Sequence, residues 1–375
     1  MINVGLSGIT AMKVGLEDVT KAYQGETLVW GGGGPIYTAL TIDYLIESAG
    51  TYDICAIEAA AEQQTILVDG VEVPSTTAIT FTTTGVHTVE FSGIYQDIGN
   101  QAWFTEARST IVGVHFPSTM SYVGQSAFWD CRKLEYADMT HTNIWAVNFN
   151  AFCGCNSLKE IKLSPLTRSI VGETFKDCWS VTSVTLNNII DAIHQNAFYC
   201  LAKNVTGGIA FDVPASVKLI EGAAFYEANI NNLTLHEGLE TIGNNAFWNS
   251  NLSDLFLPST VTSIGDGAFY GAISGYIELN EGLETIGDSA FFGCGASDLV
   301  IPSTVTSIGD RAFEDVGYET VKFMGATPPV MGDTIFGYVA DHRPQVFYVP
   351  AASLQAYTTA LTASYSGYTS HIVAY

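Results

Sequence analysis

Three kinds of side chain able to do chemistry recur at fixed places along this chain. The first is aromatic: Trp129, Tyr199, Tyr226, Trp248, Tyr270 and Phe292 each follow directly on a phenylalanine, a place held by Cys153, Lys176 and Glu314 in other copies. Rings brought into one column can stack on sugar rings or anchor a protein partner. Tyr199, Tyr226, Trp248, Tyr270 and Phe292 are therefore the candidate ligand-binding residues; the alternative is that they pack on one another, half buried and silent. The second kind is acidic, with Asp266, Asp288 and Asp310 after a glycine and Asn100 and Asn244 at the same place. A row of oxygens suggests calcium, but one carboxylate per unit falls short of the roughly six to eight ligands a hard cation takes, so these residues are expected to cap backbone N–H groups of the next turn. The third kind is thiol: Cys131, Cys155, Cys178 and Cys294 stand three residues after an aromatic. Zinc would need a second close pair to match Cys153-x-Cys155, so small buried thiols are expected instead.

No motif of covalent or phosphate chemistry accompanies them. GxSxG, HExxH and GxxxxGK[ST] are absent, and the Gly31 to Gly34 run does not sit between a strand and a helix. The seven histidines are scattered singly, His194 and His236 at turns of separate units. The chain is read as a non-enzyme with no catalytic residue, no metal and no cofactor.

The elements that must position these columns follow from the repeat. PSTVTSIGDxAF occurs at Pro258 to Phe269 and again at Pro302 to Phe313, with EGLETIGxxAF variants between and before. Aligning on the last aromatic gives Trp103, Phe128, Phe152, Phe175, Phe198, Phe225, Phe247, Phe269, Phe291, Phe313 and Phe336, spaced by 22 to 27 residues. Units that short cannot bury an apolar face alone, so eleven of them predict a stacked solenoid. Each holds a short alternating rung such as Leu255 Phe256 Leu257, with the outer pair inward and the middle residue outward. A second extended piece (Val305 to Ile308) follows; Gly309 is expected to supply a permissive backbone at the corner, and Ala312 Phe313 a short turn or helix that plugs the core. Within the second piece Glu240, Thr262, Glu284 and Thr306 alternate with a superperiod of 44 residues, keeping like charges two rungs apart.

The segments IGDGAFYG, IGDSAFFGC and IGDRAFEDV, preceded by LFLPSTVTS and LVIPSTVTS, resemble the BspA-type leucine-rich repeats of bacterial surface proteins over residues 94–342. PQVFYVPAASLQAYTTA and HIVAY resemble the closing segment of that family, in which a last strand, a Val-Pro and a short helix cover the open end. The resemblance implies extracellular recognition or adhesion and no catalytic residues. The phrase KAYQGETLVW resembles short N-terminal modules of tail and fibre proteins of gut bacteriophages.

Between these stretches, residues 35–93 read as strands: TYDICAIEA, TILV and VEV around Asp69 Gly70, then AITF and VHTVEF around Thr84 Gly85. The fold class expected is mainly β: an N-terminal hairpin segment with a glycine linker (1–34), a small Ig-like β-sandwich (35–93), a leucine-rich repeat solenoid (94–342) and a C-terminal cap (343–375). Fourteen Lys and Arg against 38 Asp and Glu give a net charge of −24, which excludes nucleic acid and anionic lipid as main partners. No apolar run is long enough to span a bilayer. The start lacks a basic region followed by an apolar stretch, so no secretory leader is expected, and the few, uneven cysteines suggest folding in a reducing cytoplasm.

These readings converge on a phage virion component, assembled in the host cytoplasm and released by lysis. It would attach to other virion proteins through its N-terminal region and present the solenoid to a host surface protein or glycan. A bacterial cell-surface adhesin or interaction module is the alternative. Homo-oligomerisation stays open, with no heptad run to specify it.

Overall fold

The computed structural model describes residues 39–54, 65–74, 78–92, 97–98, 107–295, 298–337, 346–364 and 371–375. The repeats wind into stacked coils with three sides. On the first side, eleven two-residue strands from Asp97–Ile98 to Val330–Met331 form one continuous parallel sheet, each strand pairing with the equivalent one a coil away. From Val123 to Ile308 their second residue, such as Ile242, Ile264, Ile286 or Ile308, is buried in the core. On the second side, rungs such as Asp298–Ile301 alternate outward and inward as expected, with Leu299 and Ile301 buried and Val300 exposed.

Among the described residues the third side has no strand, and its backbone is held instead by bonds that alternate between the next coil and its own turn. Around Phe291, the N–H groups of Ser289, Phe291 and Gly293 donate to Asp310, Ala312 and Glu314 one coil on, at 2.8, 2.8 and 2.9 Å. The N–H groups between them turn inward, Ala290 to Gly287, Phe292 to Ser289 and Cys294 to Phe291. This alternation needs left-handed backbone at two places four residues apart: Ser289 (φ 53°) and Gly293 (φ 67°) here, Asn245 and Asn249 or Gly267 and Gly271 in earlier coils. Short polar residues and glycine tolerate it best, which explains their recurrence around each Ala-Phe pair. The side is therefore a row of turns rather than a helix.

Because the coils are in register, each core phenylalanine lies over the last. From Phe128 to Phe336 ten rings stack at centroid spacings of 4.9 to 5.7 Å with interplanar angles of 15° or less. Trp103, expected to begin the series, lies outside the described residues, as do Asn100, Cys55 and the whole of the 1–34 segment.

The N-terminal strands are β1 (Leu40–Ile46), β2 (Gly50–Asp53), β3 (Thr65–Val68), β4 (Val71–Val73), β5 (Ala78–Phe81) and β6 (Gly85–Ser92). The hairpin at Asp69 Gly70 is present, both residues left-handed and Val68 opposite Val71. The second expected hairpin is not: β5 pairs antiparallel with β2, and β6 lies between β1 and β3. Nor is an Ig-like sandwich confirmed. After β7 (Asp97–Ile98) comes β8 (Ile111–His115), the first rung of the second side, and β1 pairs directly with it. The order β8-β1-β6-β3-β4 thus continues the solenoid's own sheet across its first end.

The far end closes as the repeat family's ending implies. Val346–Val349 adds to the rung Thr320–Phe323, and Ile372–Ala374 adds beyond it. Helix α1 (Leu354–Ser364) lies against the end strand Val330–Met331 with Tyr357 and Leu361 buried. The Tyr357 hydroxyl donates to the carbonyls of Gly325 and Thr327 at 2.9 and 3.1 Å, and Ser364 Oγ to that of Gly332 at 2.8 Å.

Candidate ligand-binding surface

The five sequence-selected aromatics form one ladder on the turn side. Ring centroids are 4.9 Å apart from Tyr199 to Tyr226, 6.0 Å to Trp248, 3.8 Å to Tyr270 and 4.5 Å to Phe292, all within 8° of parallel. A cation covers each end, Lys176 Nζ 5.3 Å above Tyr199 and the Arg311 guanidinium 5.1 Å from Phe292. All five rings are half-buried. Their faces are occupied by one another and by the two cations, so no ring face is left for a sugar to stack on. What remains outward are ring edges and the tyrosine hydroxyls. The hydroxyls of Tyr199, Tyr226 and Tyr270 have no hydrogen-bond partner among the described residues. Burial pushes the Tyr199 phenol up from its ordinary value.

The acidic column caps the next coil. Asn244 Oδ1 accepts the N–H of Asp266 at 2.9 Å, Asp266 that of Asp288 at 2.9 Å, Asp288 that of Asp310 at 2.8 Å and Asp310 that of Asp333 at 2.7 Å. The corner glycine before each has a different role from the one expected. Gly309 has no positive φ; a Cβ on it would lie 2.5 Å from the backbone nitrogen of Asp288 and 2.7 Å from the carbonyl carbon of Gly287. Glycine is there to let neighbouring coils approach, and the left-handed residue comes two positions later at Arg311.

A second pairing runs with the 44-residue superperiod. Glu237 accepts from Ser259 N and Oγ at 3.0 and 2.8 Å, and Glu281 from Ser303 N and Oγ at 3.0 and 2.7 Å. On the adjoining strand side, Thr262 and Thr306 hydroxyls donate to the carbonyls of Glu240 and Glu284. Acidic coils thus alternate with hydroxyl coils.

The thiols are buried donors. Cys155, Cys178 and Cys294 Sγ point to the carbonyls of Phe128, Phe152 and Phe269 at 3.2, 3.4 and 3.0 Å, and Ser250 Oγ does the same to Phe225 at 2.6 Å. Burial raises the Cys294 thiol to about 11 and lifts those of Cys155 and Cys178 well above the ordinary thiol range, so they are inert as nucleophiles. His194 pairs with Glu221 and His236 with Asp212, as two separate pairs. Among the described residues, no group of three or more His, Cys, Asp and Glu is placed to hold a metal ion.

One polar cluster has no signal in the repeat. Asp43 on β1 is buried, and its carboxylate accepts from Thr88 Oγ1 at 2.7 Å on β6, lies 3.1 Å from His115 Nε2 on β8, and accepts from the Tyr136 hydroxyl one rung further. Burial alone would raise its pKa; the bonds from His115, Tyr136 and Thr88 overcome it and hold the carboxyl below its usual value. Tyr136 reaches Asp43 by lying across Gly113, where a Cβ would lie 2.0 to 2.3 Å from the Cζ, hydroxyl oxygen and Cε2 of Tyr136. Beside it a cavity of about 360 Å³ is lined by His115, Tyr136, Asp138, His141, Lys159 and Lys162. Only contact across four strands brings these residues together, so spacing along the chain could not reveal them.

Coils of 22 to 27 residues with one parallel sheet, a second rung side and a ring-plugged core define a leucine-rich repeat solenoid. A family model described as BspA type leucine rich repeat region matches residues 76–206 and 202–319 in six copies, and the chain belongs to that family. No curated protein sequence matches it. Among solved structures it is similar to a leucine-rich repeat protein from Bacteroides ovatus, at 19% identity over 74% of this chain and 86% of that one, with a TM-score of 0.37. It is also similar to a leucine rich cell surface protein from Faecalibacterium prausnitzii, at 21% identity over 62% and 78%, TM-score 0.34. The pneumococcal vaccine antigen PcpA gives 16% identity over 75% and 84%, TM-score 0.40. Among the described residues no helix is long and apolar enough to cross a membrane.

Proposed function

We propose that this protein is a non-enzymatic recognition protein that binds a host surface protein or glycan through the outward columns of its solenoid. The observation that carries this reading is the aromatic ladder from Tyr199 to Phe292, rigid, half-exposed and closed at both ends by a cation. Ring stacking fixes each side chain at no further entropic cost on binding. Its hydroxyls and edges then act as a comb at about one coil spacing, suited to hydroxyl-rich glycans or to backbone amides. The test keeps the stack and removes the comb: Tyr226→Phe with Tyr270→Phe should lower retention on mucin or host-surface glycans at least about tenfold without altering the melt. Unchanged retention removes the ladder as the site.

The finer reading is a virion component, tail, fibre or capsid-decorating. Residues 1–34 would attach the chain to other virion proteins, 35–93 would join them to the solenoid at 94–342, and 343–375 would cap it. The KAYQGETLVW phrase supports this. Mass spectrometry of purified particles tests it directly, and a chain lacking residues 1–34 should fold but no longer attach. The repeat family supports a second reading, a bacterial cell-surface adhesin; recovery from the cell envelope and not from particles would select it.

A further inference from the structure

The second side of the solenoid carries a pattern that the ladder does not use. Phe256, Tyr276 and Val300, on three successive coils, are 54%, 50% and 47% exposed. Phe256 and Tyr276 approach each other at a centroid distance of 6.0 Å. Each is two residues from an exposed carboxylate on its own rung: Asp254 beside Phe256, Glu278 beside Tyr276, Asp298 beside Val300. Because the order reverses in the middle coil, apolar and acidic side chains form a checkerboard. Two of the acids are held in place, Asp254 Oδ1 by the N–H of Tyr276 at 2.7 Å and Asp298 by the hydroxyl of Thr320 at 2.5 Å.

The electrostatics of these coils are one-sided. From Leu219 to Asp310 the chain has no Lys or Arg against twelve Asp and Glu, half of the net charge of −24 in about a quarter of its length. Lys322, 4.4 Å over the Tyr375 ring, marks the end of this face. Such a field repels anionic lipid, nucleic acid and a second copy of the same face, and neutral sugars gain nothing from it.

We propose that the face made by Leu255–Phe256, Ile277–Glu278 and Asp298–Ile301 docks a basic polypeptide segment of a partner protein, one that carries lysine or arginine among apolar residues. The apolar triad supplies buried contact, and the interleaved carboxylates fix register and speed encounter.

The test uses the full chain and a short synthetic peptide of lysine and leucine spaced by serine, with glutamate-for-lysine and serine-for-leucine versions as comparisons. The lysine–leucine peptide should bind, each comparison peptide should bind at least about tenfold more weakly, and added salt should weaken the complex. Asp254→Asn with Glu278→Gln and Asp298→Asn should weaken it by a similar factor, as should Phe256→Ser with Tyr276→Ser. Asp266→Asn with Asp288→Asn, on the corner column and of the same change in charge per site, should leave binding within about twofold, which separates this face from a general effect of net charge. Hydrogen exchange on the unsubstituted chain needs no variant: the peptide should protect residues 254–256, 276–278 and 298–300. Absence of binding, equal loss from the corner variants, or protection confined to 266–270 and 288–292 overturns the proposal.

Discussion

Asp288 and Asp310 are joined by a 2.8 Å hydrogen bond from the backbone N–H of Asp310 to Oδ1 of Asp288, and this bond draws two coils together at their corner. The approach is so close that Gly309 has no room for a Cβ, since the backbone nitrogen of Asp288 would lie 2.5 Å from it.

Gly309→Ala should therefore destabilise the solenoid by about 1–3 kcal/mol through overpacking. Asp288→Gly should not rescue it: that change removes the clash with the Asp288 carboxylate but leaves those with the Asp288 nitrogen and the Gly287 carbonyl carbon. Asp288→Asn should be close to neutral, as Asn244 already makes the same bond to Asp266, whereas Asp288→Ala should cost about 1 kcal/mol for the lost cap. Denaturant unfolding of the four variants decides the matter; rescue by Asp288→Gly would show that the glycine answers to the side chain alone.

The core stack gives the largest expected effects. Phe269→Ala and Phe291→Ala should each cost about 3–5 kcal/mol, since both rings are fully buried between two others. Thr306→Ala, exposed and giving up one hydroxyl bond to Glu284, should stay near about 0.5 kcal/mol. Comparable losses for Phe291→Ala and Thr306→Ala in the same urea titration would contradict the stack.

Asp43 makes stability depend on acid. Its folded pKa is depressed, so the contribution is complete above the unfolded value of about 3.9 and disappears as pH falls through the lower folded value. Asp43→Asn should be less stable than the natural chain at neutral pH, and the gap should narrow in melts taken at about pH 3 and below. A gap that is constant across that range would mean the carboxylate is not held by His115, Tyr136 and Thr88.

Thr262→Glu would place a third carboxylate between Glu240 and Glu284, whose coils are bonded to that of Thr262 through Thr262 N to Glu240 O at 3.0 Å and Glu284 N to Thr262 O at 2.9 Å. The expected loss is about 0.5–1 kcal/mol at low salt, shrinking at high salt. Thr262→Gln should lose little. Thermal melts of both at two ionic strengths check this, and equal melting at low salt would contradict it.

The sequence made legible everything that recurs. Phe128 to Phe336, the Ile308 series and the ladder from Tyr199 to Phe292 announce themselves because one coil repeats the next, so register along the chain becomes register in space. Gly309 was visible but misread: its spacing marks a corner, while the reason for glycine, an approach by the preceding coil, lies in packing. The arrangement of β1, β5 and β6 was not legible, since Ala78–Phe81 and Gly50–Asp53 pair across 25 or more residues with no repeat to set their register. Asp43, His115, Tyr136 and Thr88 were invisible for the same reason. Phe256 could have been found, because the middle residue of a rung points outward and an aromatic there has no core to fill.

The alternation of acidic and hydroxyl coils also bears on how such a chain changes length. Glu237 with Ser259, and Glu281 with Ser303, make two coils the smallest unit that brings its own acceptors and donors. Duplicating 44 residues inserts a matched pair and leaves every junction as it was. Duplicating 22 sets glutamate against glutamate, or serine against serine, at the new seam. Growth and shrinkage by recombination are therefore biased towards even steps, and the repeated PSTVTSIGDxAF phrase at Pro258 and Pro302, one such step apart, has the form that a past doubling would leave.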